Sequence, residues 1–232
     1  MIKSKNTLTG GQAAVKSLKK EKVKHVFGLI GSATMEMFDA LYHEKKIKFI
    51  GVRDERTGTH MADGYARASN QPGVIIAGQN GPGATNLVTG IAQAKAACSP
   101  VVSIAGLYST KDKMEDAFQG LDQQSLFNPI TKKTWTVKKA SHIPKAFSDA
   151  FNLAMSPRRG PVWINCNWLI YEGIKNKDKE YSIKIKNETI SLIENKGFHE
   201  YYSCKDGSVM GANNFSWSAA LYLDLVNKKN ES

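Results

Sequence analysis

The chain has few cysteines and no long apolar run, and each shortage excludes a class of protein. Its three cysteines, Cys98, Cys166 and Cys204, are odd in number and far apart in 232 residues. They predict reduced thiols in the cytoplasm rather than disulfides or a zinc site. No uninterrupted apolar stretch of about 18 residues occurs, so no membrane span is predicted. The first residues, MIKSKNTLTG, lack the apolar core of a secretion signal.

Arginine is also scarce, and this decides how the net charge of +11 is interpreted. Only 5 of the 32 basic residues are arginines, and the lysines are scattered. A nucleic-acid surface usually clusters arginine with aromatic residues. Residues 171–232 carry nine lysines and nine acidic residues, so the whole excess lies in residues 1–170. We therefore expect a general lysine bias and no nucleic-acid partner.

Short apolar runs alternate with helical patterns along the first part of the chain. Strands are predicted at HVFGLI, IKFIGV, GVIIAGQ, PVVSIAG and RRGPVWINC. Helices are predicted between them, among others at GGQAAVKSLKKEKV, at His60 to Ala68 and at IPKAFSDAFNLAMS. This alternation is typical of a parallel sheet with helices on both faces. We expect an α/β fold with about six strands over residues 8–170.

Two polar segments follow predicted strands, which is where ligands bind in open parallel sheets. Glu55 comes soon after IKFIGV, and Asn80-Gly81-Pro82-Gly83 comes directly after GVIIAGQ. The glycines allow tight turning and close backbone approach, and the next helix offers free N–H groups. The segment is neither a Walker loop nor a dinucleotide fingerprint. Taken alone, it also fits an ordinary turn, and Glu55 alone also fits a solvated glutamate.

Six segments occur in the order typical of one family. They are VFGLIGS, DERTGTHMADGYARASNQPGV, NGPGATNLVTGIAQA, SPVV, AFQGLDQQSLFNPITK and RRGPVWINC. Together they resemble the N-terminal, pyrimidine-binding domain of thiamine diphosphate-dependent enzymes, within the acetolactate synthase and sulfoacetaldehyde acetyltransferase branch. The resemblance implies domain boundaries at residues 1–170 and thiamine diphosphate as cofactor. It also implies a carboligase or transferase that processes 2-keto acids.

The resemblance implies a catalytic role for Glu55, the acid that precedes HMADGYAR. In the family, this glutamate lies in an apolar pocket and shares a proton with the pyrimidine ring of thiamine, which leads to deprotonation of the thiazolium ring. The cofactor-binding residues that it implies are Gly28, Ile30, Gly31, Gly81, Pro82, Gly83 and Asn86. Phe118 and Gln119 match a substrate-proximal FQE segment, although Gly120 replaces its acid.

The family's diphosphate and metal site is not evident in the sequence. Its signature is Gly-Asp-Gly, then a strand–turn–helix length of chain, then Asn-Asn. Residues 206–214, DGSVMGANN, look similar, but Lys205 precedes Asp206 and the gap is far too short. No metal site is therefore predicted, and Mg²⁺ is expected only where a partner chain supplies it.

The resemblance also implies self-association, because the family's cofactor site lies between two chains. The expected partner is a second copy in a homodimer or a chain that carries the diphosphate-binding domain. The residues predicted to lie on or beside an apolar dimer face are Met61, Tyr65, Leu87 and Ile91.

Residues 171–232 differ in character from the rest of the chain. Residues 171–197 are lysine-rich and predict a poorly packed linker. Residues 198–232 resemble the C-terminal end of trehalase-like and glucosylglycerate or mannosylglycerate hydrolases, with a helix predicted from Ser216 to about Leu225. This resemblance implies Glu200 as the general base of an inverting pair. Its partner acid and nearly all of the barrel are absent, so we expect no glycosidase activity.

Three functions stay open at this point. The first is a thiamine diphosphate-binding half-enzyme that needs a partner chain and is inactive alone. The second is a non-catalytic truncated remnant or dimerisation module, and the third is a carbohydrate-active fragment. An intact Glu55 and Gly81-Pro82-Gly83 favour the first, because burying an acid without a task only costs stability.

Overall fold

A computed structural model describes residues 8–107, 117, 119–166, 187, 190–191, 193–202 and 208–213. The chain divides into two units, Met1–Leu169 and Ile170–Ser232. Within the described ranges, no helix combines the length and the apolar character that crossing a bilayer requires.

A sheet of six parallel strands forms the centre of the first unit. The strands are β1 (His25–Gly28), β2 (Lys48–Gly51), β3 (Gly73–Ile76), β4 (Val101–Gly106), β5 (Thr134–Val137) and β6 (Val162–Cys166). They are ordered β2-β1-β3-β4-β6-β5 across the sheet, and every neighbouring pair is parallel. The order reverses between β1 and β3, so the switch point where such sheets bind ligands lies there. The predicted α/β class is confirmed.

Helices cover both faces of this sheet. They are α1 (Gly10–Lys20), α2 (Met35–His43), α3 (Glu55–Ser69), α4 (Pro82–Asn86), α5 (Val88–Ala96), α6 (Gln123–Phe127) and α7 (Ile143–Met155). On one face, α1, α2 and α7 bury Leu18, Met37 and Phe147 in a common apolar cluster. On the other face, α3, α5 and α6 contribute to a second cluster that includes Ile91 and Phe127. The strands between the clusters are apolar on both sides, as a covered parallel sheet requires.

Strand β5 is the one strand of this sheet that the sequence patterns do not predict. It is a four-residue edge strand, TWTV, whose exposed third residue is Thr136. Lysines flank it on both sides, Lys132 and Lys133 before it and Lys138 and Lys139 after it. A short, lysine-flanked strand is a common way to protect a sheet edge, and it carries too few apolar residues to stand out in a sequence.

The predicted apolar dimer face is wrong in part. Leu87 and Ile91 are fully buried in the chain's own core. The reason is the close packing of α5 on α3, where a Cβ added at Gly90 would lie 2.5 Å from the Thr59 methyl group. Met61 is 38% exposed, the only one of the four predicted residues among the exposed large apolar side chains of the described ranges.

The described part of the second unit contains helical residues and a hairpin. Residues 187, 190–191 and 193–196 are helical, and Ile190 and Ile193 are buried. Strands β7 (His199–Tyr202) and β8 (Val209–Asn213) pair antiparallel. The predicted helix from Ser216 lies outside the described residues. The division into a linker at 171–197 and a glycosidase-like fragment at 198–232 stays a prediction.

The two described thiols should differ strongly in reactivity. Cys166 is fully buried at the end of β6, and burial raises the pKa of its thiol, whereas Cys98 is half-buried after α5. In a Cys204→Ser background, we expect a thiol-specific disulfide reagent to modify Cys98 at least about a hundredfold faster than Cys166, which reacts only after opening of the core. The control is a Cys98→Ser, Cys204→Ser variant. Equal rates for the two thiols in the folded chain would contradict the described core.

Candidate functional site

Glu55 lies in the first turn of α3 and not in a loop before it. The helix predicted from His60 in fact begins at Glu55, because Asp54 caps it. The Asp54 Oδ1 atom accepts a hydrogen bond from the Arg56 backbone N–H at 2.8 Å. The Arg56 side chain lowers the pKa of Asp54, which keeps the cap charged. The polar segment around Glu55 resembles a loop in the sequence. It is in fact the start of a helix, and the helix fixes the position of Glu55.

The Glu55 carboxylate is buried between groups from two other segments. Its side chain is 4% exposed. Oε1 accepts a hydrogen bond from the Gly78 backbone N–H at 3.3 Å, just after β3. Oε2 accepts one from Asn86 Nδ2 at 3.0 Å, at the end of α4. A carboxylate has roughly four acceptor positions, so these two contacts leave positions at which a ligand can bind.

Glycine backbone forms the wall beside this carboxylate. A Cβ added at Gly83 would lie 2.9 Å from Glu55 Oε1, and one added at Gly78 would lie 3.3 Å from it. The turn after β3 therefore needs glycine because its backbone passes directly beside the acid. Pro82 is exposed and starts α4, where its missing N–H has no helical partner to lose.

The loop after β1 closes the other side of the switch point. A Cβ added at Gly31 would lie 2.7 Å from the Gly78 Cα atom and closer still to its carbonyl group. Gly28 is buried at the end of β1, where an added Cβ would lie 2.8 Å from the carbonyl oxygen of Ile76. Ile30 is 58% exposed. The structure thus brings Gly31, through Gly78, to the acid, and it leaves the Ile30 side chain open to a ligand or a partner.

Of the predicted substrate-proximal pair, Phe118 lies outside the described residues. Gln119 adopts a φ of 55°, in the left-handed region that few residues other than glycine enter. Its backbone oxygen would lie 2.6 Å from a Cβ added at Gly81. Gln119 therefore packs on the turn after β3.

The sequence does not predict a role for two residues of this region, Gly78 and Gln123. Gly78 donates to Glu55, and its only signal is its position directly after the buried strand GVIIA. Gln123 is buried in α6 and contacts the ends of β3 and β4. Nothing in the sequence separates it from Gln124, which is exposed.

The sequence predicts no metal site in this chain. Among the residues described, no group of three or more His, Cys, Asp or Glu side chains is arranged to hold a metal ion. That Mg²⁺ is held elsewhere stays a prediction.

A comparison with family models identifies the family of this part of the chain. The model described as thiamine pyrophosphate enzyme, N-terminal TPP binding domain, matches residues 8–126, just over half of the chain. The chain belongs to the thiamine pyrophosphate enzymes. The match spans β1 to β4 and includes Glu55, Gly83 and Asn86. The match confirms the family resemblance that the sequence motifs indicate. Thiamine pyrophosphate is another name for thiamine diphosphate.

Several curated relatives of this thiamine pyrophosphate enzyme domain are acetolactate synthases. The probable large subunit from Methanococcus aeolicus is 45% identical over 158 residues, which cover 68% of this chain and 26% of that protein. The large subunit from Buchnera aphidicola subsp. Acyrthosiphon pisum is 40% identical over 177 residues, covering 76% and 30%. Isozyme 3 from Escherichia coli is 40% identical over 158 residues, covering 68% and 27%. The chain thus spans less than a third of each relative's length.

A second family model matches the other end of the chain. The model described as mannosylglycerate hydrolase MGH1-like glycoside hydrolase domain matches residues 145–218. It confirms the resemblance of the tail to such hydrolases, but it begins in α7, well before the predicted boundary at residue 198. Strand β6 lies within this match and pairs with β4 and β5 in the sheet of the thiamine pyrophosphate enzyme domain. Glu200 lies in β7.

The residues around Glu55 fit the pyrimidine half of thiamine diphosphate. An aminopyrimidine is a flat ring whose edge carries both hydrogen-bond donors and acceptors. Among the described residues, the Gly78 N–H and the Asn86 amide fill two acceptor positions of the acid, and Gly78 and Gly83 place only backbone along one side of it. These are the features that a flat, hydrogen-bonding ring needs.

Proposed function

We propose that this chain binds the pyrimidine ring of thiamine diphosphate through Glu55, as one half-site of an acetolactate synthase-like carboligase or transferase that acts on 2-keto acids. The observation that carries the proposal is the burial of the Glu55 carboxylate between the Gly78 N–H and the Asn86 amide, beside the sheet's switch point. The alternative of a non-catalytic remnant or dimerisation module has no comparable support, because it gives this buried acid no ligand.

Each residue of the site has a part in this proposal. When bound, the cofactor would supply a means of stabilising negative charge on the carbon of the former keto group. Glu55 binds the ring nitrogen and holds or releases a proton at one carboxylate oxygen. Asn86 and the Gly78 N–H each hold one oxygen of that carboxylate, which fixes its direction. The wall of Gly78 and Gly83 admits the ring and excludes side chains.

We propose that the diphosphate and Mg²⁺ are held by another domain, on a different partner chain. The family's Gly-Asp-Gly and Asn-Asn signature at its usual spacing is not evident in the sequence, which motivates this proposal. The proposed setting is the cytoplasm, where unpaired thiols such as Cys98 and Cys166 persist.

Isothermal calorimetry tests the divided site. Thiamine diphosphate with Mg²⁺ is titrated into this chain, into a candidate partner that carries Gly-Asp-Gly and Asn-Asn at the family spacing, and into the mixture. We expect the mixture to bind at least about tenfold more tightly than either chain alone, because two half-sites contact one ligand. A mixture that gives only the sum of the separate heats would contradict the proposal and favour the non-catalytic module.

A further inference from the structure

The proposed function assigns no role to the buried amide side chain of Gln123. Its side chain is 2% exposed. Its Nε2 atom donates to the carbonyl oxygen of Asn80 at 2.8 Å and to that of Gly106 at 2.8 Å. One side chain thereby joins the turn after β3 to the end of β4. We propose that Gln123 is a positioning residue that holds the Asn80–Gly83 turn against Glu55, an inference that rests on the proposed function.

The chemistry of these contacts fixes the orientation of the Gln123 amide. Both partners are backbone carbonyl oxygens, which can only accept hydrogen bonds, so the nitrogen must face them. The amide has two N–H groups, and each carbonyl takes one. Methionine has a similar size but no donor, and glutamate would place acceptor oxygens against the two carbonyls. Gln123 is therefore chemically specific at this position.

The turn itself lacks a capping side chain to hold it. Gly81 precedes α4 with no side-chain cap hydrogen bond. The external contacts that the structure shows for this turn include the Gln123 amide at Asn80 and the backbone of Gln119 at Gly81. Without the amide, the carbonyl of Asn80 loses a buried donor, which is costly for a backbone group.

A small movement of the turn would displace groups that lie next to the Glu55 carboxylate. Gly83 is only three residues beyond Asn80, and its backbone passes so close to Glu55 that a Cβ would lie 2.9 Å from Oε1. Asn86, which donates to Oε2, ends the helix that this turn begins. A misplacement of about 1 Å in such a site can cost roughly a hundredfold in rate. Gln123 thus acts on the site through the turn and not by contact with the ligand.

Two buried amide oxygens lie on this side of the turn. The Oε1 atoms of Gln119 and Gln123 are both buried, and neither has a hydrogen-bond partner within the described ranges. Buried amide oxygens are almost always satisfied. Ordered water commonly satisfies buried polar groups of this kind.

Hydrogen–deuterium exchange of the isolated chain tests the positioning role without any ligand. In Gln123→Met, we expect the amides of Gly81 and of residues 83–85 to exchange at least about tenfold faster, while amides in β3, β4 and α7 keep their rates. The matched control is Gln124→Met, the same change at the exposed neighbouring residue, which should alter neither set. Faster exchange throughout the sheet would show a merely structural role, and an unchanged turn would show no role; either overturns the proposal.

The unmutated chain offers a second measurement, which does not depend on whether a variant folds. In nitrogen-15 NMR spectra, the side-chain N–H₂ protons of Gln123 should exchange with water at least about a hundredfold more slowly than those of Gln124. The reason is that both protons of Gln123 form buried hydrogen bonds. Equal exchange for the two side chains would overturn the contact itself.

The ligand readout separates this inference from the proposed function. In the mixture with the partner chain, Gln123→Met should lower the exchange rate of the thiazolium C2 proton about a hundredfold, with Gln124→Met unchanged. If the unmutated mixture binds no thiamine diphosphate, the proposed function fails while the amide exchange of Gly81 and of residues 83–85 still reports on the turn. If the unmutated mixture binds and Gln123→Met exchanges normally, the positioning role fails alone.

Discussion

Changing Glu55 to glutamine is expected to remove most proton exchange at C2 of bound thiamine diphosphate while most of the binding remains. Glutamine has the same shape as glutamate, so it fits the pocket between Gly78 and Asn86. Its oxygen can accept from the Gly78 N–H, and its NH₂ group faces Asn86, whose amide must turn its oxygen toward it. The glutamine amide cannot exchange a proton with the ring nitrogen as a carboxyl group can. Loss of a general acid–base group costs about a hundred- to ten-thousand-fold in rate. The diphosphate and metal contacts, which are charge-assisted, hold most of the binding energy.

The measurement is C2–H/D exchange in the mixture of this chain with its partner, with affinity measured in parallel. A suitable control is Glu21→Gln, which makes the same change at the end of α1, on the opposite face of the sheet. It should alter neither rate nor affinity. Equal exchange rates for the unmutated and Glu55→Gln mixtures would mean that the acid has another role, and the half-site account would fail at its centre.

Gly31→Ala is expected to destabilise the site on the side formed by the loop after β1. The added Cβ would lie 2.7 Å from the Gly78 Cα atom and closer still to its carbonyl. Backbone atoms cannot rotate away as a side chain can, so the loops after β1 and β3 must separate. We expect a loss of about 3 kcal/mol in the free energy of unfolding, at the upper end for added buried volume. Cofactor binding should fall with it, because Gly78 also donates to Glu55.

Gly64→Ala is the matched control for this substitution. Gly64 is exposed within α3, and an added Cβ would meet nothing within 4 Å. Alanine there should raise the free energy of unfolding by about 0.5–1 kcal/mol, since it favours the helix. Urea unfolding of the two variants measures both effects. Similar stabilities for the two alanine variants would contradict the described contact between Gly31 and Gly78.

Much of the fold could be predicted because the strands are buried on both faces. Runs such as GVIIAG and VVSIAG have no polar alternation, which marks a covered parallel sheet. Strand β5 escaped prediction because an edge strand needs fewer apolar residues. Leu87 and Ile91 were assigned to a surface because a sequence does not show which apolar residues of a helix face the sheet. That orientation follows from Gly90, which lets α5 pack closely on α3.

The site could be predicted only where it is built from family motifs. Glu55, Gly83 and Asn86 lie in such motifs, and the structure brings them together. Gln123 could not be predicted, because its role depends on two carbonyl groups that are 43 and 17 residues away in the chain. Hydrogen bonds between distant backbone groups leave no local pattern in a sequence.

Nitrogen-15 NMR of thiamine diphosphate labelled in its pyrimidine ring tests the contact with Glu55 most directly. The labelled cofactor is bound, with Mg²⁺, to the mixture of this chain and its partner. We predict that the ring nitrogen resonance moves toward its protonated position in the unmutated mixture and returns toward the free-cofactor position in Glu55→Gln. The same ring nitrogen resonance in both mixtures, at equal saturation, would contradict the assignment of Glu55 to the pyrimidine ring.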